Sequence, residues 1–324
     1  MKRKSLKKTS GVSQEQNDFI LTMEKSISTI RRFNQHYRTL SFSELMSKAD
    51  DEFLELVVRL GKGGHPLEES KFDSGGDLEE RNEYRYTASG KLSEHILYYA
   101  SEDVTERRVL VRDVNDRTIQ EVRYYGDDTG ERLEYSYDEK GQVVTVVRFD
   151  EEGEFDYREE MFYDLEGSIT HRNKTDKDGK PLGSLVFIKE SKDSIDEKEL
   201  DAEGRLMTLT TFKYDEKGNE TLSEQRKADG SLISGVYTTY DESGKVLERR
   251  HKDFFSKIVR YAYDENGRMI AQEMLDASGL LLRKNVYEYD ENGRISKEQV
   301  FEIDASRGGR DKHYGTRYEY DYFD

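Results

Sequence analysis

The chain has 324 residues, 34% hydrophobic and 37% charged, with a formal net charge of −17, no Cys, no Trp and two Pro. Such a balance leaves little apolar material for a thick core, and the lack of Cys excludes disulfide staples, thiolate metal sites and cysteine nucleophiles. The 22 Tyr and 14 Phe argue against disorder, because aromatic rings bury a large area per residue and suit a sheet with one packed face and one wet face.

Residues 1–12 read as a disordered basic tail. Met1-Lys-Arg-Lys-Ser-Leu-Lys-Lys8 is followed by polar residues rather than an apolar segment, so no secretory signal is expected. No run of about 18 apolar residues occurs, so no transmembrane helix and no membrane insertion are expected. Cytoplasmic residence is the resulting expectation, with specialised export left open.

Residues 13–61 read as an α-helical hairpin. Ser13-x-x-Gln16 and Ser41-x-x-Glu44 have the form of capping boxes. Phe19, Met23, Ile27, Ile30, Phe33 and Tyr37 follow the first at steps of three or four, and Leu45, Met46, Ala49, Phe53, Leu56, Val57 and Leu60 follow the second. Gly61 stands where a helix C-cap belongs. Residues 62–82 combine Gly, Pro66 and many charges, and read as a linker.

Over residues 83–324 the pattern changes to alternation. Val143, Thr145, Val147 and Phe149 are spaced by two, as are Phe155, Tyr157, Met161 and Tyr163 with one gap, which marks half-buried strands. Between strands stands Asp-x-x-Gly: Asp138 with Gly141, Asp164 with Gly167, Asp215 with Gly218, Asp241 with Gly244, Asp264 with Gly267 and Asp290 with Gly293. Asp suits the first position of a type I turn, and Gly the left-handed position that closes the hairpin with a bulge. Turn glycines arrive every 11 to 14 residues, with hidden turns required near Ser191–Ser194 and Asp253–Phe255. The count predicts roughly 17 strands in one long antiparallel meander, too many for an open twisted sheet, so the sheet should coil or roll. The predicted fold is thus mainly β, tandem β-hairpin repeats preceded by the helical hairpin.

An aromatic residue and then Tyr precede most of these turns, as in Tyr135-Ser-Tyr137-Asp138, Tyr261-Ala-Tyr263-Asp264 and Tyr287-Glu-Tyr289-Asp290. A fixed period near 26 residues marks a repeat architecture. The repeated Tyr-x-Tyr-Asp-x-x-Gly resembles the YD repeats of Rhs and teneurin-like proteins, loosely over residues 84–321 and well over 130–293. That resemblance implies a spiralling ribbon of antiparallel strands with a structural rather than catalytic role. The chain is short for a shell of that family, its repeat is longer, and it carries no cleavage motif or toxin domain. Bacterial MORN-like tandem hairpins are a second resemblance.

No chemistry stands out. His36, His65, His95, His171, His251 and His313 are scattered without metal or triad spacing. Asp176-Lys-Asp-Gly179 is the nearest approach to a calcium loop but lacks its terminal Glu. We therefore expect no catalytic residue, no metal and no cofactor. Three strands are apolar on both faces, which nominates Val144, Val146, Val186, Ile188 and Leu281 as second-face contacts, covered by the N-terminal helices or by a partner. Residues 1–60 hold 11 Lys/Arg against 8 Asp/Glu, leaving a net −20 on the remainder, which disfavours nucleic acid and anionic membranes. The expected function is a non-enzymatic, protein-binding or scaffolding repeat protein with an acidic, Tyr-rich sheet. The alternatives are an immunity- or chaperone-like protein masking a basic toxin or effector, and a carbohydrate-binding protein using its tyrosines.

Overall fold

A computed structural model gives the structure, which describes residues 27–37, 49–100, 105–126, 128–303 and 311–323. These residues form 22 strands in one sheet. The first eleven are β1 (Ile27–His36), β2 (Asp51–Leu60), β3 (Pro66–Phe72), β4 (Leu78–Tyr86), β5 (Leu92–Tyr99), β6 (Thr105–Arg112), β7 (Thr118–Tyr125), β8 (Asp128–Tyr137), β9 (Val143–Phe149), β10 (Phe155–Tyr163) and β11 (Ile169–Thr175). The second eleven are β12 (Pro181–Ser191), β13 (Ser194–Leu200), β14 (Leu206–Tyr214), β15 (Glu220–Lys227), β16 (Leu232–Tyr240), β17 (Val246–Lys252), β18 (Lys257–Tyr263), β19 (Met269–Asp276), β20 (Leu281–Tyr289), β21 (Ile295–Glu302) and β22 (Lys312–Tyr322).

Every strand is antiparallel to its sequence neighbours, and β22 returns to pair with β1 in the register Tyr320↔Ile30 and Thr316↔Asn34. The result is a closed barrel, which leaves no sheet edge to template aggregation. Each strand meets only the two strands it is hydrogen-bonded to. With 22 strands about 4.8 Å apart the circumference is about 105 Å and the width at least roughly 30 Å. The wall is a single layer around a lumen.

This architecture corrects the expected one. No helix occurs among the described residues, and the count is 22 strands rather than about 17. The segment 13–61, read as a helical hairpin, supplies β1 and β2, paired with Ile30↔Val58 and Arg32↔Leu56; its residues 13–26 and 38–48 lie outside the described residues, as does the tail 1–12. The supposed linker 62–82 contains β3 and the start of β4. Part of the physical cause is a bulge. Against β22 the register shifts between Ile27 and Thr29, which makes Ser28 an extra residue of β1, whereas the shift against β2 at Arg32 and Phe33 places its extra residue, Glu55, in β2. A bulge adds one residue to a period of two, so Ile27 and Ile30 share a face although three apart, and with Phe33 on the other face they imitate a helical stripe.

The densest packing lies at the closure. Ile27, Ile30, Val58 and Leu60 form a buried cluster against Leu56, Tyr318 and Tyr320. Elsewhere the wall has two distinguishable faces. In β10, Phe155, Tyr157, Glu159, Met161 and Tyr163 are half-buried, whereas Asp156, Arg158 and Phe162 between them are exposed. Side chains inside a closed wall converge and those outside splay apart, so the tyrosine face is the inner one.

Candidate functional site

The Tyr-Asp turns all fall at one end of the barrel, because they join even-numbered strands to the odd-numbered strands that follow. Gly141, Gly167, Gly218, Gly244, Gly267 and Gly293 there have φ between +78° and +88°, a region costly for any residue with a Cβ. Each donates its backbone N–H to the carbonyl of the Asp three residues earlier. The Asp carboxylate in turn accepts a backbone N–H four residues on: from Gln142 for Asp138, Ser168 for Asp164, Asn219 for Asp215, Lys245 for Asp241, Arg268 for Asp264 and Arg294 for Asp290, all at 2.8 to 2.9 Å. The Asn219 side chain also donates to Asp215 at 2.9 Å, and this holds that carboxyl below its ordinary pKa.

In most of the motifs the second tyrosine ties its turn to the preceding repeat. Tyr137 donates its hydroxyl to the Thr118 carbonyl at 2.6 Å, Tyr163 to Val143 at 2.7 Å, Tyr240 to Glu220 at 2.6 Å and Tyr289 to Met269 at 2.6 Å. A basic side chain just after the left-handed residue of the earlier turn covers the ring: Arg268, after Gly267, lies 4.6 Å above Tyr289, Arg117, after Asp116, 4.7 Å above Tyr137, and Lys245, after Gly244, 5.5 Å above Tyr263. The rings of Tyr137, Tyr263 and Tyr289 thus have one face occupied and their hydroxyls engaged with backbone.

Along the inner face run polar networks. Tyr84 donates to Glu69 at 3.1 Å and stacks on His95 at 4.8 Å, while His95 Nε2 bonds to Asn82 at 2.7 Å. Two strands on, Arg108 grips the buried Glu121 with two hydrogen bonds of 2.6 and 2.8 Å. Across the barrel sequence, Asn285 donates to Glu298 at 2.8 Å, and Arg283 donates to Asn285 at 2.8 Å. Burial pushes the Glu69 and Glu298 carboxyls above their ordinary range and His95 below its own. Burial also raises Tyr318, to about 12. Among the described residues no group of three His, Asp or Glu is placed to hold a metal ion.

The five second-face candidates do not meet in one patch. Val144 occupies the bulge at the start of β9, and Val146 pairs with Tyr135 and Glu159 on the inner face. Val186 and Ile188 lie on the outer face of β12, opposite Lys198 and Asp196. Leu281 opens β20 beside Leu275. All five are half-buried, as a one-layer wall with water on both sides leaves them.

The end of the barrel with the Tyr-Asp turns has a further feature that strand-by-strand reading overlooks. Glu139, Glu216, Glu242, Glu265 and Glu291 all occupy the second position of their turns and are exposed. No ion pair includes any of them among the described residues, whereas sheet charges are matched across strands, as in Arg260–Glu248 at 2.9 Å, Lys284–Glu273 at 2.9 Å and Arg148–Glu131 at 2.6 Å. The excess negative charge therefore gathers at the turns rather than on the sheet. The signal was present in the repeated Asp-Glu of the motif, but only the topology puts those turns on one rim.

No family model and no curated protein matches the chain. Among solved structures it is similar to a Photorhabdus luminescens Tc holotoxin pore chain, with 14% identity over 77% of this chain and a TM-score of 0.37. It is also similar to a porin-like protein from Bacteroides uniformis, with 11% identity over 91% of this chain and a TM-score of 0.31. A third is TcdB2-TccC3 without its hypervariable C-terminal region, with 16% identity over 78% of this chain and a TM-score of 0.28. The chain spans 16% and 17% of the two toxin chains' lengths and 96% of the porin-like protein's. At these scores no residue role and no activity passes from them to this chain.

Proposed function

We propose that this chain is a non-enzymatic binding barrel whose Tyr-Asp end holds a basic segment of a protein partner. The observation that carries the reading is the set of five exposed glutamates, Glu139, Glu216, Glu242, Glu265 and Glu291, at one turn position and outside any ion pair of the described residues. Four of them stand on successive turns of one rim, from β14 to β21. Turns two strands apart are separated by about 10 Å, close to a Debye length at physiological salt. Their fields therefore overlap and favour a multivalent cation over a single one.

A bilayer-spanning role fits less well. Such a barrel carries an outward apolar band about 25 Å tall. Here both faces hold charges in mid-strand, Arg108 and Glu121 on one and Arg260 and Glu248 on the other.

The test is calorimetric titration of the full chain with a lysine-rich peptide across a salt series. Binding should be saturable, should weaken steeply with salt, and should be abolished when the five glutamates are changed to Lys. Charge reversal at the opposite end, at Glu151, Glu152, Glu154, Asp178 and Glu203, should leave it in place. Equal loss from both sets, or no loss from the first, rejects the reading.

A further inference from the structure

The opposite end of the barrel carries acidic turns such as Asp150-Glu-Glu-Gly153 and Asp201-Ala-Glu-Gly204. Between β17 and β18 the chain reads His251-Lys-Asp-Phe-Phe-Ser-Lys257. The ladder of this hairpin stops at His251↔Lys257 while Lys252 still pairs with Gly235 of β16, so residues 253–256 project from the rim. Asp253 is turned back on the chain, accepting the Phe255 N–H at 2.8 Å. Phe254 and Phe255 are 91% and 79% exposed, with rings edge-to-face at 4.9 Å. Sequence reading treated this segment only as a hidden turn, which explains its Asp but not two adjacent phenylalanines in water.

Beside the tip lies a hollow of about 750 Å³, whose lining includes Lys227, Lys252, Lys257, Leu232, Ile233 and Ile258. Among the described residues none of the three lysines is in an ion pair; Lys252 sits 4.7 Å over the Tyr237 ring. Projecting rings thus stand beside lysines outside any ion pair of the described residues and beside exposed aliphatic side chains, in a protein whose net charge is −17.

We propose that the β17–β18 tip docks the barrel on the surface of an anionic phospholipid bilayer. The geometry favours a lipid surface over a peptide. β17 is hydrogen-bonded to β16 and β18, and β18 to β19, so no backbone edge is open for an added strand. The phenylalanines protrude instead of lining a cleft, and offer contact without direction. A fluid interface accepts that contact: rings enter the headgroup–acyl boundary while lysines meet phosphate and carboxylate. The overall negative charge confines the contact to this tip and makes it salt-sensitive.

Cosedimentation of the full chain with phosphatidylcholine–phosphatidylserine vesicles tests this, with pure phosphatidylcholine vesicles alongside. Binding to the mixed vesicles should be at least about tenfold stronger. It should be lost in Phe254→Ser/Phe255→Ser and in Lys252→Glu/Lys257→Glu, both checked for an unchanged melting midpoint. Because the chain has no Trp, Phe255→Trp adds a direct reporter whose emission should shift to the blue on mixed vesicles. A wild-type chain that ignores them, as it would if the tip served an acidic protein, overturns the proposal. So does full binding by the phenylalanine variant, or an unshifted Trp.

Discussion

Arg317 on the last strand donates two hydrogen bonds, of 2.6 and 2.9 Å, to the carboxylate of Glu52 on the second. The guanidinium crosses β1 to do so, lying 4.1 Å over the Phe33 ring. Gln35 adds a hydrogen bond of 2.6 Å to the same carboxylate. Residues 265 positions apart thus fix the register in which the barrel closes, with the Ile30–Val58 cluster beneath them.

Arg317→Ala should lower stability by about 1–2 kcal/mol, since a two-pronged ion pair at a half-buried site exceeds an ordinary surface pair. Arg317→Lys should recover less than half of that, because an ammonium cannot make both bonds. Chemical denaturation midpoints decide it. The effect has a pH signature. The Arg317 hydrogen bond holds Glu52 below its usual 4.5. A carboxyl with a depressed folded pKa contributes its stability above the unfolded value and loses it as pH falls through the folded one. The wild type and Glu52→Gln should therefore converge only as pH falls below 4.5 and through the folded value.

Glu298 should show the opposite slope. Burial raises its carboxyl above 4.5, so its contribution is full below that value and is lost as pH rises through the folded pKa. Glu298→Gln should gain on the wild type as pH rises above 4.5. His95 is depressed by burial from 6.5, and its contribution should disappear as pH falls below that point, an effect absent from His95→Gln. Melting temperatures across a pH series separate the two.

Glycine substitutions should rank by surroundings. A Cβ at Gly141 meets open space, so Gly141→Ala carries only the strain of positive φ, about 1 kcal/mol. A Cβ at Gly267 collides with the Lys245 side chain that covers Tyr263, so Gly267→Val should cost about 1–3 kcal/mol. At Gly315 the obstacle is the Glu298 backbone carbonyl, which cannot step aside. Gly315→Ala should therefore cost more than Gly141→Ala in the same denaturation assay.

Tyr289→Phe should cost about 1 kcal/mol through its lost bond to the Met269 carbonyl. Tyr289→Leu should cost more, by removing the ring under Arg268 as well. In a double-mutant cycle, Arg268→Ala should couple to Tyr289→Leu and hardly at all to Tyr289→Phe.

A chain beginning at residue 83 lacks β1, β2 and β3 and leaves β22 without its partner. We expect it to unfold without cooperativity and to aggregate through its free edges. Light scattering and the sharpness of the melting transition report this.

The antiparallel β-rich character was legible because its causes are local. Alternation in β10 and the Asp-to-Gly chemistry between β18 and β19 act within a few residues, and the breaks near Ser191–Ser194 and Asp253–Phe255 are where β12 meets β13 and β17 meets β18. Three features depended on partners distant in sequence. β1 looked helical because a bulge at Ser28 puts Ile27 and Ile30, three apart, on one face, and only pairing with β2 and β22 shows them as strand. The charge balance named an acidic protein but could not divide matched sheet charges, such as Arg260 with Glu248, from unmatched rim charges such as Glu265. Closure itself is the pairing of β1 with β22, braced by Arg317 and Glu52, whose neighbours in sequence carry no trace of the contact. A turn is a property of four residues, whereas a barrel is a property of its two ends meeting.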